Sequence, residues 1–241
     1  MKTQDVHNLY DTQYANDYNE RYLLNPFSKV SMEVELGELQ KLINKDSRWL
    51  DLGCGTGYFL SQFKGIERAG LDISPEMLKL AAKENPDALF LKQGDFRENF
   101  EEWDCSWSLV SCMWAAYCYV DSMKEFEILM NNMISWTKAD GAIFIPVIDL
   151  EDLRANKQVP YAEDESVFGG AINITSATWT WDEGENGKMH KHLLAPHLEH
   201  FVKLLSPWFN NIEIVRYPPY KPGWVSRKAV LAKGKRPQKN E

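Results

Sequence analysis

Apolar and polar positions follow two periods along this chain, and the switches between them mark its elements. Trp49-Leu50-Asp51-Leu52 is a short, mostly apolar run of the kind that fills a buried strand, and Gly53-Cys54-Gly55-Thr56-Gly57 ends it. A helix is expected from near Tyr58. Further short runs predict strands over Ile66–Asp72, Leu89–Lys92, Asp104–Met113 and Ala142–Ile148. Helical segments separate them. Ser74-Pro75-Glu76 reads as a cap with proline at the first helical position, opening a helix to about Glu84. Phe126, Leu129, Met130, Met133 and Ile134 form the apolar stripe of a helix over Ser122–Thr137, which Asp140-Gly141 turns into the next strand. Strands alternating with helices predict an open α/β sheet, mostly parallel, with helices on both faces.

The ends depart from that alternation. Tyr10, Tyr14, Tyr18 and Tyr22 recur every four residues on one helical face, Pro26 interrupts, and Lys29–Ile43 reads as a second helix. Residues 1–45 are therefore a helical cap on a single domain spanning 1–241. Ile172–Trp181 alternates β-branched and aromatic residues, Asn186-Gly187 is a hairpin turn, and Lys188–Leu194 completes a ribbon. That ribbon makes 149–195 a β-hairpin insertion. Pro196 starts a helix to Leu205, and Phe209–Tyr217 and Trp224–Ala232 are the last strands. The final one should run antiparallel, because only the short Pro218–Gly223 turn precedes it.

Composition narrows the partners. The 241 residues carry a net charge of −8, which argues against broad nucleic-acid binding. Lys233–Lys239 reads as a solubilising tail. No apolar run has membrane-spanning length, and Met-Lys-Thr-Gln-Asp is not a signal peptide, so a cytoplasmic protein without membrane partners is expected. Cys54, Cys105, Cys112 and Cys118 lack C-x-x-C spacing and read as reduced, largely buried thiols. A monomer or homodimer is expected.

The glycine turn carries the chemistry. Dinucleotide folds use G-x-G-x-x-G to seat a pyrophosphate on a helix N-terminus. Here the spacing is G-x-G-x-G, and Asp51 stands two residues before the first glycine. A carboxylate there repels a phosphate and attracts a cation. This disfavours an NAD-dependent oxidoreductase and fits S-adenosylmethionine, an adenosine with a sulfonium and no phosphate. Asp51-Leu52-Gly53-Cys54-Gly55-Thr56-Gly57 resembles the D-x-G-x-G-x-G signature of class I S-adenosylmethionine-dependent methyltransferases. Gly70-Leu71-Asp72-Ile73-Ser74, Gln93-Gly94-Asp95-Phe96 and the strand Asp104–Met113 resemble that family's next three segments, in order.

The resemblance implies a Rossmann-like, seven-stranded, mostly parallel sheet with its last strand antiparallel. It implies S-adenosylmethionine as cofactor and S-adenosylhomocysteine as product. Asp51, Gly53, Cys54, Gly55 and Gly57 would cradle the cofactor, and Asp72 with Ile73 would take the ribose. Met77, Gly94, Asp95 and Phe96 would meet the adenine, with Cys112 and Met113 at the end of the fourth strand. Tyr14 and Tyr22 are candidates to close over the methionine end or approach the methyl group, core packing being the alternative for both.

On the acceptor side, Ser111 to Val120 resembles the C-M-F-S-S-I-G-H-like run of aminosugar N-methyltransferases. Their histidine falls on Tyr119, so no imidazole stands there, and Tyr119 becomes a candidate substrate contact. His190, His192, His197 and His200 lie within eleven residues. By alternation His190 and His192 share a strand face, and His192 is taken as the candidate catalytic histidine with His190 beside it. No zinc spacing is completed, so no metal is expected. The acceptor is expected to be a nitrogen or oxygen of a small molecule. A protein side-chain methyltransferase and a catalytically inactive regulatory protein that binds the cofactor or its product are the alternatives.

Overall fold

In the computed structural model the described residues are 6, 9–149, 176–184, 187–222 and 227–237. The chain enters through a helix, α1 (Thr12–Tyr18), whose N-cap Asp11 accepts from the Tyr14 amide. Its continuation, Asn19–Leu23, widens into a π turn. Such a turn inserts a residue into the helical repeat and shifts the face that follows. Helix α2 (Pro26–Leu42) starts at a proline capped by Asn25.

The central sheet has the order β3-β2-β1-β4-β5-β9-β8. Its parallel members are β1 (Arg48–Leu52), β2 (Glu67–Asp72), β3 (Phe90–Gln93), β4 (Trp107–Ser111) and β5 (Thr137–Val147). Strand β9 (Lys228–Lys235) runs antiparallel between β5 and β8 (Phe209–Arg216). Strand order reverses at β1, so the ends of β1 and β4 open a crevice where α/β folds bind ligands. Trp49, Leu50, Leu52, Leu71, Val110, Ile143 and Phe144 are buried along the central strands. Helices α3 (Tyr58–Ser61), α4 (Pro75–Glu84), α5 (Met123–Trp136) and α6 (Leu198–Leu205) complete the layers. The expected stripe of α5 is buried throughout.

A separate two-stranded ribbon, β6 (Ser176–Asp182) with β7 (Met189–Pro196), is the expected hairpin insertion. Its predicted beginning at 172–175 and residue 186 of the turn lie outside the described residues, as do 224–226 of the last predicted strand.

Three local expectations need correction. The Asp140-Gly141 turn is an irregularity inside β5, with Asp140 at φ 59°, rather than its beginning. Lys233 and Lys235 belong to β9, not to a tail, and the ammonium of Lys235 is buried against the carbonyl oxygens of Thr137 and Ser135. Helix α6 starts two residues later than predicted, because His197 accepts from the Glu199 amide as its N-cap. The four cysteines are free thiols, and Cys105, unlike the others, is exposed.

Candidate active site

The crevice beyond β1 and β4 holds a cavity of about 450 Å³, within the ~300–1,000 Å³ usual for small-molecule sites. One wall is the glycine turn. Gly53, Gly55 and Gly57 all sit in the left-handed region, at φ 65°, 55° and 71°. At Gly53 a Cβ would meet Ala116 Cβ at 2.5 Å, so side-chain packing beneath the loop demands glycine. At Gly55 a Cβ would meet nothing within 4 Å. Glycine there leaves an open cradle on the cavity side.

Asp72 ends β2 at the cavity rim, where its carboxylate accepts from the Gly55 amide at 2.7 Å and the Ser74 amide at 2.8 Å. It therefore fixes the loop that forms the cradle. Ile73, Met77, Gly94, Asp95, Phe96 and Met113 also line the cavity. The Asp95 carboxylate faces a competitor for its lone pairs, since Arg97 bonds both its oxygens and Glu125 as well.

Several predicted cofactor residues stand behind the wall instead. Asp51 is 1% exposed and accepts the Ser111 hydroxyl at 2.6 Å, and Ser111 in turn accepts from the Trp49 indole at 2.8 Å. Burial pushes the Asp51 carboxyl up to about 7, the Ser111 bond only partly offsetting it. Cys54 packs against Gly70, where a Cβ would meet its sulfur at 2.6 Å. Gly57 abuts Asn85, and Cys112 is fully buried. The structure brings none of these four to the cavity surface.

The N-terminal cap forms the roof. It is tied to the glycine turn by Thr56 Oγ1 on Asn19 Oδ1 at 2.6 Å, and to α4 by Thr12 Oγ1 on Glu76 at 2.9 Å. Tyr10, Tyr18 and Tyr22 face the cavity. Tyr14 does not. Its hydroxyl donates to Glu183 Oε1 at 2.6 Å and lies 3.2 Å from His190 Nε2, so it clamps the cap to the hairpin. The four rings form a ladder with successive centroids 5.4, 6.1 and 5.2 Å apart.

Another side of the cavity is aromatic. After β4 the chain passes through Trp114 and Ala115, both left-handed at φ 52° and 56°. This strained backbone carries Trp114, Ala115, Ala116, Cys118 and Tyr119 into the cavity. Trp179, Trp181 and Leu193 face it from the hairpin. Glu35, from α2, is 1% exposed and lines the cavity, and burial pushes its carboxyl up to about 8 against the pull of Arg227. Sequence periodicity gives no sign of Glu35, because a lone acidic residue on a helix reads as solvated.

The histidines separate. His190 is fully buried and stacked on Trp181, while His192 is exposed. A β-bulge explains the difference. Trp179 pairs with Leu193 and Trp181 with His190, so two residues of β7, Lys191 and His192, face Thr180 alone, and His192 takes φ 59°. The alternation that puts both histidines on one face is broken between them. His192 is exposed to solvent and His190 is buried, and neither lines the cavity. His200 pairs with Glu127 at 3.0 Å on α5. Among the described residues no group of histidine, cysteine and carboxylate side chains is arranged to hold a metal.

The sequence model of a family described as Methyltransferase domain matches residues 43–191, more than half of the chain. The chain belongs to the class I S-adenosylmethionine-dependent methyltransferases. It is 27% identical over 168 residues to dTDP-3-amino-3,6-dideoxy-alpha-D-glucopyranose N,N-dimethyltransferase of Streptomyces fradiae, covering 66% of this chain and 63% of that protein. The match thus spans less than two thirds of that relative. The crystal structure of DesVI from Streptomyces venezuelae superposes with TM-score 0.63 at 20% identity, over 93% of this chain and 99% of that one. An amino pentose methyltransferase of Micromonospora echinaspora, solved with S-adenosylmethionine bound, gives 0.59 at 16% identity, over 94% and 98%. These structural likenesses carry the methyltransferase fold. No helix among the described residues is long and apolar enough to cross a membrane.

Proposed function

We propose that this methyltransferase moves a methyl group from S-adenosylmethionine to a nitrogen of a small molecule, an amino sugar nucleotide being the first candidate. The observation that carries the reading is the open cradle at Gly55, rimmed by Asp72, on the same cavity as Tyr119 and the hairpin tryptophans. The cradle fits the cofactor, because a side chain at Gly55 would fill space that the methionine end needs.

Gly53 and Gly55 would pass close beneath the methionine end, with Tyr22 above it. Asp72 would accept the ribose hydroxyls with the carboxylate that also holds the Gly55 and Ser74 amides. Ile73, Met77, Phe96 and the backbone of Gly94–Asp95 would sandwich the adenine. Asp51, Cys54, Gly57 and Cys112 support that wall from behind, Asp51 by fixing Ser111 at the end of β4. The bound cofactor supplies a methyl group already made electrophilic by its sulfonium.

What the chain must add is alignment, dryness and a place for a proton. The cap and hairpin exclude water, and holding acceptor and methyl group in line contributes up to ~7–11 kcal/mol. The hairpin also occupies the space a peptide chain would need, which favours a small acceptor over a protein side chain. A similarity to sugar-amine methyltransferases supports nitrogen as the acceptor atom.

Calorimetric titration with S-adenosylmethionine, S-adenosylhomocysteine and NAD tests the cofactor. Saturable binding of the first two and none of NAD is expected, and no binding of either would overturn the reading. Transfer of a labelled methyl group to dTDP-3-amino-3,6-dideoxy-α-D-glucopyranose, set beside simple amines and phenols, tests the acceptor. Labelling confined to phenols would move the reaction to oxygen.

A further inference from the structure

Behind the acceptor wall a line of side chains runs from the cavity into the protein. Tyr10 Oη donates to Tyr119 Oη at 2.8 Å, and both rings line the cavity. Tyr119 Oη lies 2.8 Å from His190 Nδ1, and His190 Nε2 lies 2.7 Å from Glu183 Oε1. The His190 and Glu183 side chains are 0% and 1% exposed.

The direction of these bonds follows from elementary chemistry. Burial pushes the Glu183 carboxyl up, but the bonds from the Lys188 amide, Tyr14 and His190 outweigh it and hold the group below its ordinary range. It is a carboxylate, and a carboxylate only accepts. His190 Nε2 therefore carries the proton. Burial also holds the imidazole below its ordinary range, with Glu183 only partly restoring it, so the ring is neutral and Nδ1 is bare. A bare Nδ1 accepts, so Tyr119 donates to it, and Tyr119 in turn accepts from Tyr10. Every hydrogen in the line points inward.

We infer that Tyr10 and Tyr119 form a proton exit from the methyl acceptor and that His190, held by Glu183, is its terminus. The inference rests on the methyl-transfer reading of the cavity. A primary amine reaches the site at neutral pH as an ammonium, without a lone pair to attack with. One N–H proton passes to Tyr10 Oη as the Tyr10 hydrogen moves to Tyr119 and the Tyr119 hydrogen to His190 Nδ1. The freed lone pair forms the N–C bond while the C–S bond breaks onto sulfur, leaving a neutral thioether. The products are a methylated ammonium and an imidazolium paired with the Glu183 carboxylate, so charge balances. Tyr10 and Tyr119 touch the acceptor in this scheme. His190 acts through Tyr119, and Glu183 positions His190.

Other groups facing His190 keep the polarity. Tyr14 on α1 donates to Glu183, Arg21 in the π turn bridges Glu183 at 3.3 Å, and the positive charge of Lys188 on the hairpin disfavours imidazolium.

Nitrogen-15 NMR of histidine-labelled protein bound to S-adenosylhomocysteine tests the polarity without any acceptor. The expected result is a neutral Nε2–H tautomer for His190, persisting below the ordinary imidazole range near pH 6.5. An Nδ1–H tautomer, or imidazolium at pH 7, overturns the proposal. Methyl transfer to dTDP-3-amino-3,6-dideoxy-α-D-glucopyranose tests the proton step. His190→Gln is expected to lower kcat on the order of a hundredfold and to abolish the acidic limb of the pH profile, with unchanged S-adenosylhomocysteine affinity. Tyr119→Phe should do the same, and the double variant should be no slower than either. Additive losses, or an acidic limb that survives in His190→Gln, would show a packing role instead. Should the sugar not be methylated, the acceptor reading fails for that sugar while the NMR result still decides the line.

Discussion

The two walls of the cavity are built in opposite ways. The wall proposed for the cofactor is made of backbone: three left-handed glycines within five residues, two amides on Asp72, and strand ends contiguous in register. The wall proposed for the acceptor is made of side chains brought from far apart, with Tyr10 and Tyr119 on it and His190 and Glu183 behind, drawn from the cap, the segment after β4 and the hairpin. A backbone wall is fixed by local geometry and serves an invariant ligand. A wall of side chains can be rebuilt one residue at a time to suit a different acceptor. The difference predicts that damage to the first wall reaches either folding or cofactor binding, position by position, while damage to the proton line of the second reaches turnover with cofactor affinity unchanged.

The largest effect is expected at Gly53. Valine there adds a branched side chain at φ 65° and drives it into Ala116, which should cost about 3 kcal/mol or more. Alanine at Gly55 meets no atom, so its strain is limited to the left-handed backbone, about 1–2 kcal/mol. Yet it fills the cradle. Urea midpoints and calorimetry should therefore separate the two glycines: Gly53→Val unfolds early, and Gly55→Ala stays folded but loses the cofactor. Equal stability losses with intact binding in Gly55→Ala would break the assignment.

Glu35 sharpens the comparison from the other wall. Its folded-state pKa of about 8 exceeds the ordinary carboxylate value, so the folded protein holds a proton that the unfolded chain releases. Stability from this group is present below the unfolded pKa and declines as pH rises through the window from about 4.3 to about 8. Glu35→Gln should remove that decline, gaining stability above pH 8 on the order of a few kcal/mol and little near pH 4. Denaturant midpoints against pH check it. A parallel curve for the variant would mean that Arg227 neutralises the carboxylate outright.

Asp72→Ala is expected next. Loss of the proposed ribose acceptor should weaken S-adenosylmethionine binding at least about tenfold, or ~1.4 kcal/mol, with the Gly55 and Ser74 amides left to water. Unchanged affinity by calorimetry would reduce Asp72 to a clamp on the loop.

How much of each wall was legible follows from the same contrast. Asp51 to Gly57, Asp72 and Gly94 to Phe96 are local patterns, and the sheet, the antiparallel last strand and the hairpin follow from short-range periodicity. What the sequence could not reveal is which side of a wall a residue stands on. Asp51 and Cys54 belong to the motif yet lie behind the surface, because the pleat of β1 and the packing against Gly70 turn them inward. Tyr14 and Tyr18 share a spacing, but only Tyr18 faces the cavity, because Glu183 captures the Tyr14 hydroxyl from 169 residues away. That pairing is non-local and leaves no trace in either segment.

Tyr14→Phe tests this capture. Removing one hydroxyl from a buried carboxylate should cost about 1–3 kcal/mol of stability and leave cofactor affinity unchanged. Weaker cofactor binding would return Tyr14 to the site.

The smallest effect falls on the residue that simple alternation favours. His192 sits at φ 59° in the β7 bulge, a conformation that costs a residue with a Cβ roughly 1–2 kcal/mol. Glycine removes that cost but releases more entropy on unfolding, about 0.5–1 kcal/mol. His192→Gly should therefore stabilise the protein by about 0.5 kcal/mol, raising the thermal midpoint slightly, with turnover unaltered. The sign matters more than the size. A register without the bulge would put His192 beside His190 on the buried face of the hairpin, and the same substitution would then cost stability and activity together. One variant thus decides which register the hairpin keeps, and with it which of two neighbouring histidines reaches Tyr119.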